Sequence, residues 1–196
     1  LSHQLSYFLC QIFYVFLMTS SCSFYSFKGS VPAHLDNITI SPIINNSTEY
    51  TAVEILDREI YDTLLKENVL KLSSLENAKS RLDITIKDIT DKAYTYNTTS
   101  SSSFEQVEEW RITIKAEVVW FDIKEDKVLF SKEMTSFGVY NSNNSSDISS
   151  DNIDNDQDGL IDSQDNDEFG PPRYSAIQIA SKKLSENIVA DITSTW

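Results

Sequence analysis

A run of aspartates with metal-ligand spacing is the clearest chemical signal in the sequence. Residues 154–165 place carboxylates at positions 1, 3, 5, 9 and 12 of a twelve-residue loop, and Gly159 stands at position 6, where such loops turn sharply. The backbone carbonyl of Leu160 falls at position 7, and Ile161 is expected to pin the loop against apolar neighbours. The spacing predicts a calcium site with these ligands: Asp154, Asp156, Asp158, Leu160, Asp162 and Asp165.

The acidic segment around this loop concentrates negative charge. Residues 141–170 hold nine acids and no base, and carboxylates crowded this closely repel one another unless a cation neutralises them. Asp165 stands where a bidentate Glu is usual, and no EF-hand helices flank the loop. The pattern is therefore more similar to the Asp-rich loops of thrombospondin type 3 repeats. By that similarity, Asp165 and Asp167 are expected to begin a second site in this chain. The alternative is a solvated acidic linker.

The N-terminal residues carry the pattern of a secretion signal. Residues 1–21 contain no Asp, Glu, Lys or Arg, and residues 7–18 are almost continuously apolar but too few to span a bilayer comfortably. Three small residues then precede Cys22. This pattern predicts a lipoprotein signal peptide, removed at residue 21, and a covalent lipid on Cys22 as membrane anchor. A signal anchor, a buried helix and a Cys10–Cys22 disulfide are the alternatives.

Composition argues against catalysis and against nucleic-acid binding. After removal of residues 1–21 the chain keeps one histidine, His34, so a Ser/His or Cys/His arrangement depends on that residue alone. There is no Gly-rich phosphate loop, since the chain has only 4 glycines. The net charge is −14, and −5 once the nine acids of residues 141–170 are set aside, so the chain repels phosphate backbones. We expect a binding protein rather than an enzyme.

The apolar pattern predicts the elements that position these residues. Apolar residues alternate at 34–43, 81–90, 109–120 and 127–140, which predicts four strands. Helical spacing predicts a helix beginning with a capping box at Thr51 and Glu54, and a second helix running to Trp196. The order β-α-β-β-β-α favours an α/β two-layer sandwich, with two amphipathic helices packed on one face of a four-stranded sheet. The expected core includes Leu56, Ile60, Ile112, Ile114, Trp120 and Leu184.

Three segments resemble one known family, the lipopolysaccharide-assembly outer-membrane lipoproteins (LptE) in their Bacteroidota-like form. The resemblance covers nearly all of residues 22–196 except the acidic insert. It rests on Cys22-Ser23-Phe24-Tyr25-Ser26-Phe27-Lys28-Gly29, on Asn37-Ile38-Thr39-Ile40-Ser41-Pro42 followed by Asn45-Asn46, and on Glu186-Asn187-Ile188-Val189-Ala190-Asp191-Ile192 ending in Trp196.

The resemblance implies a place in the cell and a set of partners. It implies an outer-membrane lipoprotein on the periplasmic face that sits inside an LptD-type β-barrel translocon and assists the delivery of lipopolysaccharide to the cell surface. The corresponding domains are a signal peptide at residues 1–21, a lipidated tether at 22–33 and an α/β domain at 34–196, with the acidic insert at 141–170. The alternative function is a calcium-dependent surface-binding or adhesive domain.

Overall fold

The computed structural model describes residues 31–32, 34–97, 106–141, 148–150, 152, 154, 159–161, 164 and 170–194. These residues form six strands, two α-helices and one short 3-10 turn, Ile148–Ser150. The strands are β1 (Asn37–Ile40), β2 (Ile44–Asn45), β3 (Lys71–Leu72), β4 (Ser80–Asn97), β5 (Gln106–Asp122) and β6 (Lys127–Tyr140). The helices are α1 (Thr51–Glu67) and α2 (Pro172–Ser194).

The six strands make one mixed sheet. Its order is β3-β1-β4-β5-β6, and β2 pairs with β4. Strand β1 runs parallel to β3 and β4, whereas the long strands β4, β5 and β6 form an antiparallel meander. The parallel pairing of β1 with β4 requires a crossover, and α1 supplies it.

Both helices cover the same face of the sheet. Alternate residues of β4 and β5 point toward them and are buried, and the two helices contribute their apolar stripes to the same cluster. The six residues expected in the core are all inaccessible to solvent: Leu56, Ile60, Ile112, Ile114, Trp120 and Leu184. The other face of the sheet carries no layer in the described part of the chain, and most of its residues are half-buried or exposed, apart from the buried Thr39 and Val139.

The strand count and one helix start differ from the sequence prediction. The sheet has six strands rather than four, because β2 and β3 are two-residue strands too short to show alternation. The predicted capping box is wrong. Thr51 is the first residue of the helix rather than its cap, and the N-cap residue Tyr50 makes no side-chain capping bond. Neither helix is long and apolar enough to cross a membrane, within the residues that the structure describes.

Candidate functional site

The acidic insert is attached to the sheet at a polar cluster. Tyr140, the last residue of β6, donates a hydrogen bond to Asp91 Oδ2 at 2.9 Å. Arg173, in the first turn of α2, donates its Nε–H to the same oxygen at 3.0 Å and binds Glu49 Oε2 through Nη1 at 2.7 Å. The strand before the insert and the helix after it are therefore joined through one carboxylate.

A β-bulge in β4 places the Asp91 side chain on the face of the sheet where this cluster lies. The register of β4 against β5 shifts between Ile86 and Asp88, so that Asp91 lies opposite the buried Ile112. Without the extra residue, strict alternation from Ile86 would turn Asp91 to the open face of the sheet. The bulge thus puts a carboxylate on the helix-bearing face, where Arg173 reaches it.

Burial and hydrogen bonding set the protonation states at the cluster. Burial, reinforced by the bond to Asp91, raises the pKa of Tyr140 to about 12, so this phenol keeps its donor proton at neutral pH. Burial opposes ionisation of Glu49, but hydrogen bonds from Arg173 and Thr51 outweigh it and lower the pKa of Glu49 below its ordinary value. The cluster therefore holds an ionised carboxylate against a permanent cation.

Part of the predicted calcium loop is described. Gly159 adopts a left-handed backbone, φ +95°, and donates its N–H to Asp154 Oδ2 at 2.9 Å, so the sharp turn expected at this glycine is present. Leu160 follows the turn. The other predicted ligands, Asp156, Asp158, Asp162 and Asp165, lie outside the described residues, and the described residues alone contain no group of three potential metal ligands.

The apolar anchor of the insert is not the residue that the sequence suggested. Ile161 is exposed over 36% of its surface, so it does not pin the loop against the core. Ile148, in the 3-10 turn, is completely buried instead, and its N–H bonds the carbonyl of Gly170 at 3.2 Å. The sequence missed Ile148 because a single isoleucine among Ser, Asn and Asp has no periodicity to indicate its burial.

His34, which directly follows the predicted tether, is bound at the opposite end of the sheet. His34 Nε2 lies 2.9 Å from Oδ2 of Asp122, the buried last residue of β5. Oδ1 of Asp122 accepts the backbone N–H groups of Lys124 and Glu125, at 2.9 and 3.0 Å, and so closes the β5–β6 turn. Burial opposes the charge on Asp122, but the backbone bond from Glu125 and the bond from His34 outweigh it and lower its pKa.

The two attachment points lie far apart along one strand. Trp110 of β5 is opposite Tyr140, where the insert begins, and Asp122 ends the same strand beside the tether. They are twelve residue steps apart along the strand, which is about 40 Å. Cys22, the predicted lipidation site, lies outside the described residues, twelve positions before His34. His34, the first residue after the predicted tether, therefore lies at one end of the sheet, and Tyr140, the last residue before the acidic insert, lies at the other.

No family model and no curated protein matches the sequence. Among solved structures, a hypothetical protein of Chlamydia trachomatis is 12% identical, with 81% of this chain and 95% of that chain covered and a TM-score of 0.47. A minor lipoprotein of Acinetobacter baumannii is 11% identical, covering 82% and 94%, with a TM-score of 0.44. A lipoprotein of Neisseria meningitidis is 15% identical, covering 56% and 85%, with a TM-score of 0.37. Likenesses this distant carry no argument about what this chain does.

Proposed function

We propose that this chain is a lipoprotein, anchored through acylated Cys22, that works by binding rather than by catalysis. The observation that carries the proposal is the separation of His34, which follows the tether, from Tyr140, which precedes the insert, by about 40 Å of sheet. A domain anchored at the tether end projects the insert away from the membrane surface, which suits a protein that meets its partner at a distance from its anchor. His34 fits a binding role, because its ring bonds the buried Asp122 and so fastens the tether.

The proposed location of the protein in the cell is the periplasmic face of the outer membrane. The protein there assists glycolipid delivery as the plug subunit of an LptD-type translocon. The support is the sequence resemblance through residues 22–29, 37–46 and 186–196, joined with a two-layer domain whose open sheet face is free to meet a barrel wall. Lipopolysaccharide and the β-barrel are the proposed partners.

Co-purification tests this setting. The wild type, Cys22→Ser and the matched control Cys10→Ser are expressed in the native bacterium and extracted with detergent. We expect a large outer-membrane barrel with the wild type and with Cys10→Ser, and a loss of the barrel with Cys22→Ser. Depletion of the protein should make lipopolysaccharide accumulate before it reaches the surface. A clean monomer in all three preparations, with normal surface lipopolysaccharide on depletion, would reject the translocon proposal.

The turn at Gly159 favours a second candidate, a calcium-dependent surface-binding or adhesive domain. A left-handed glycine whose N–H bonds the first aspartate of the loop is compatible with a calcium loop. Oxygen ligands at the predicted spacing fit Ca²⁺, a hard cation. In this case the protein should bind host or matrix proteins only when calcium is present, and chelation should release them.

A further inference from the structure

At one end of its open face, the sheet carries two basic residues that make no ion pair with the described part of the chain. Toward the tether end, each basic residue of this face is neutralised: Arg81 by Asp83, Lys87 by Glu117 and Lys115 by Glu133. Toward the insert end, Lys92 of β4 and Arg111 of β5 are directly opposite each other in the antiparallel register. Their Cα atoms are therefore about 5 Å apart.

Two cations opposite each other repel and destabilise a sheet unless something compensates. No ion pair includes Lys92 or Arg111 in the described part of the chain. Glu109, two residues before Arg111 on the same face, accepts a hydrogen bond from Thr95 at 2.9 Å instead. In a chain of net charge −14, which has carboxylates to spare, this unpaired arrangement points to a partner from outside.

Aromatic rings hold Arg111 in place. Its guanidinium carbon lies 3.8 Å from the ring centre of Tyr94 and 4.4 Å from that of Phe137. The Nε atom is buried and has no hydrogen-bond partner. Lys183 of α2 brings a third cation to Phe137, with its Nζ 5.8 Å from the ring centre. The guanidinium is thus fixed in orientation before any ligand arrives, which lowers the entropic cost of binding.

We propose that Lys92 and Arg111 form a binding site for a phosphoryl dianion. A planar guanidinium binds phosphate oxygens in a bidentate manner, and a lysine beside it adds a second charge-assisted bond. Two or more cations match a dianion better than they match a single carboxylate. The phosphoryl group is either free, as inorganic phosphate, or the headgroup of a lipid. The site stands on its own contacts and does not depend on the lipid anchor or on calcium.

Titration of the full chain in detergent tests the site. The probes are inorganic phosphate and dihexanoyl phosphatidic acid, a short-chain lipid, each followed by calorimetry at low ionic strength. The test variant is Lys92→Gln with Arg111→Gln. The control, Lys87→Gln with Lys115→Gln, removes the same charge from the same two strands and the same face. We expect saturable binding by the wild type and by the control, and affinity lowered about tenfold or more in the test variant.

The outcomes distinguish a free phosphate ligand, a lipid headgroup and the absence of a site. Binding of inorganic phosphate identifies a free ligand as sufficient, whereas binding of phosphatidic acid alone identifies the lipid headgroup. If the wild type binds neither probe saturably, or if the control loses as much affinity as the test variant, the site does not exist. Lys92→Gln alone guards against misfolding, because Lys92 is exposed, and it should still weaken binding severalfold.

Discussion

Tyr140 and Arg173, which lie on either side of the acidic insert, donate hydrogen bonds to the same oxygen, Oδ2 of Asp91. Although 32 positions separate them in the sequence, they are joined through a single acceptor. The insert therefore leaves the domain and returns to it at one point.

Tyr140→Phe should lower the free energy of unfolding by about 1–2 kcal/mol at neutral pH, because a part-buried hydrogen bond to a carboxylate is lost. The folded-state pKa of Tyr140 is raised to about 12 from 10.0, so its contribution is complete below pH 10 and is lost as the pH rises through 12. Denaturant titrations of both proteins from neutral pH to pH 12 should show the difference shrinking. The exposed Tyr96, changed to Phe, is the control and should show no such convergence.

Gly138→Ala should destabilise the domain by about 1–3 kcal/mol or more. A Cβ at this position would lie 2.2 Å from the backbone oxygen of Ala176, so strand β6 and helix α2 would have to move apart. Thermal unfolding measures the loss, and Ser131→Ala at an exposed position of the same strand should cost much less. Equal losses would mean that the close approach of α2 to β6 is not needed for stability.

Asp122→Asn should weaken the attachment of the tether and lower stability by about 1–3 kcal/mol at neutral pH, because an ionised acceptor of three bonds is removed. The pKa of Asp122 is lowered in the folded state, so its contribution is present above the unfolded value of about 3.9 and is lost as the pH falls through the folded one. Acid titration should bring the wild type and Asp122→Asn together at low pH. Asp126→Asn, in the same turn and at φ 50°, should change little.

Calcium should bind the full chain saturably and more tightly than magnesium, because the loop offers many flexible oxygen ligands. Calorimetry is the measurement. Asp154→Ala with Asp158→Ala should abolish the heat of binding, while Asp147→Ala with Asp151→Ala, an equal charge change in the insert but outside the twelve-residue spacing, should preserve it. Equal affinity for the two metals, or equal binding by the two variants, would identify the insert as a solvated linker.

The long elements were predictable because each repeats its pattern many times. Alternation through Ile112, Ile114 and Trp120 identified the inner face of β5, and the structure confirms that face. The two-residue strands β2 and β3 are too short to show any repeated pattern. Their pairing follows from tertiary contacts with β1 and β4, which no local pattern encodes.

The candidate sites were likewise predictable from the sequence only where their residues form a local pattern. The aspartate spacing around Gly159 is local and visible in the sequence. The pairs His34–Asp122 and Lys92–Arg111 join distant segments, and their contacts depend on strand register. The bulge after Ile86 decides which residues of β4 face Arg173 and which lie opposite Arg111. In the sequence it is visible only as one break in the alternation, where Ile89 follows Ile86 after three positions.

The central claim is that a lipid on Cys22 anchors the domain at the tether end of the sheet. Mass spectrometry of the protein extracted from native membranes tests it directly. We expect an N-terminal peptide that begins at Cys22 and carries acyl chains. A peptide that begins at Leu1 or upstream of it, or a Cys22 with a free thiol, would contradict the account.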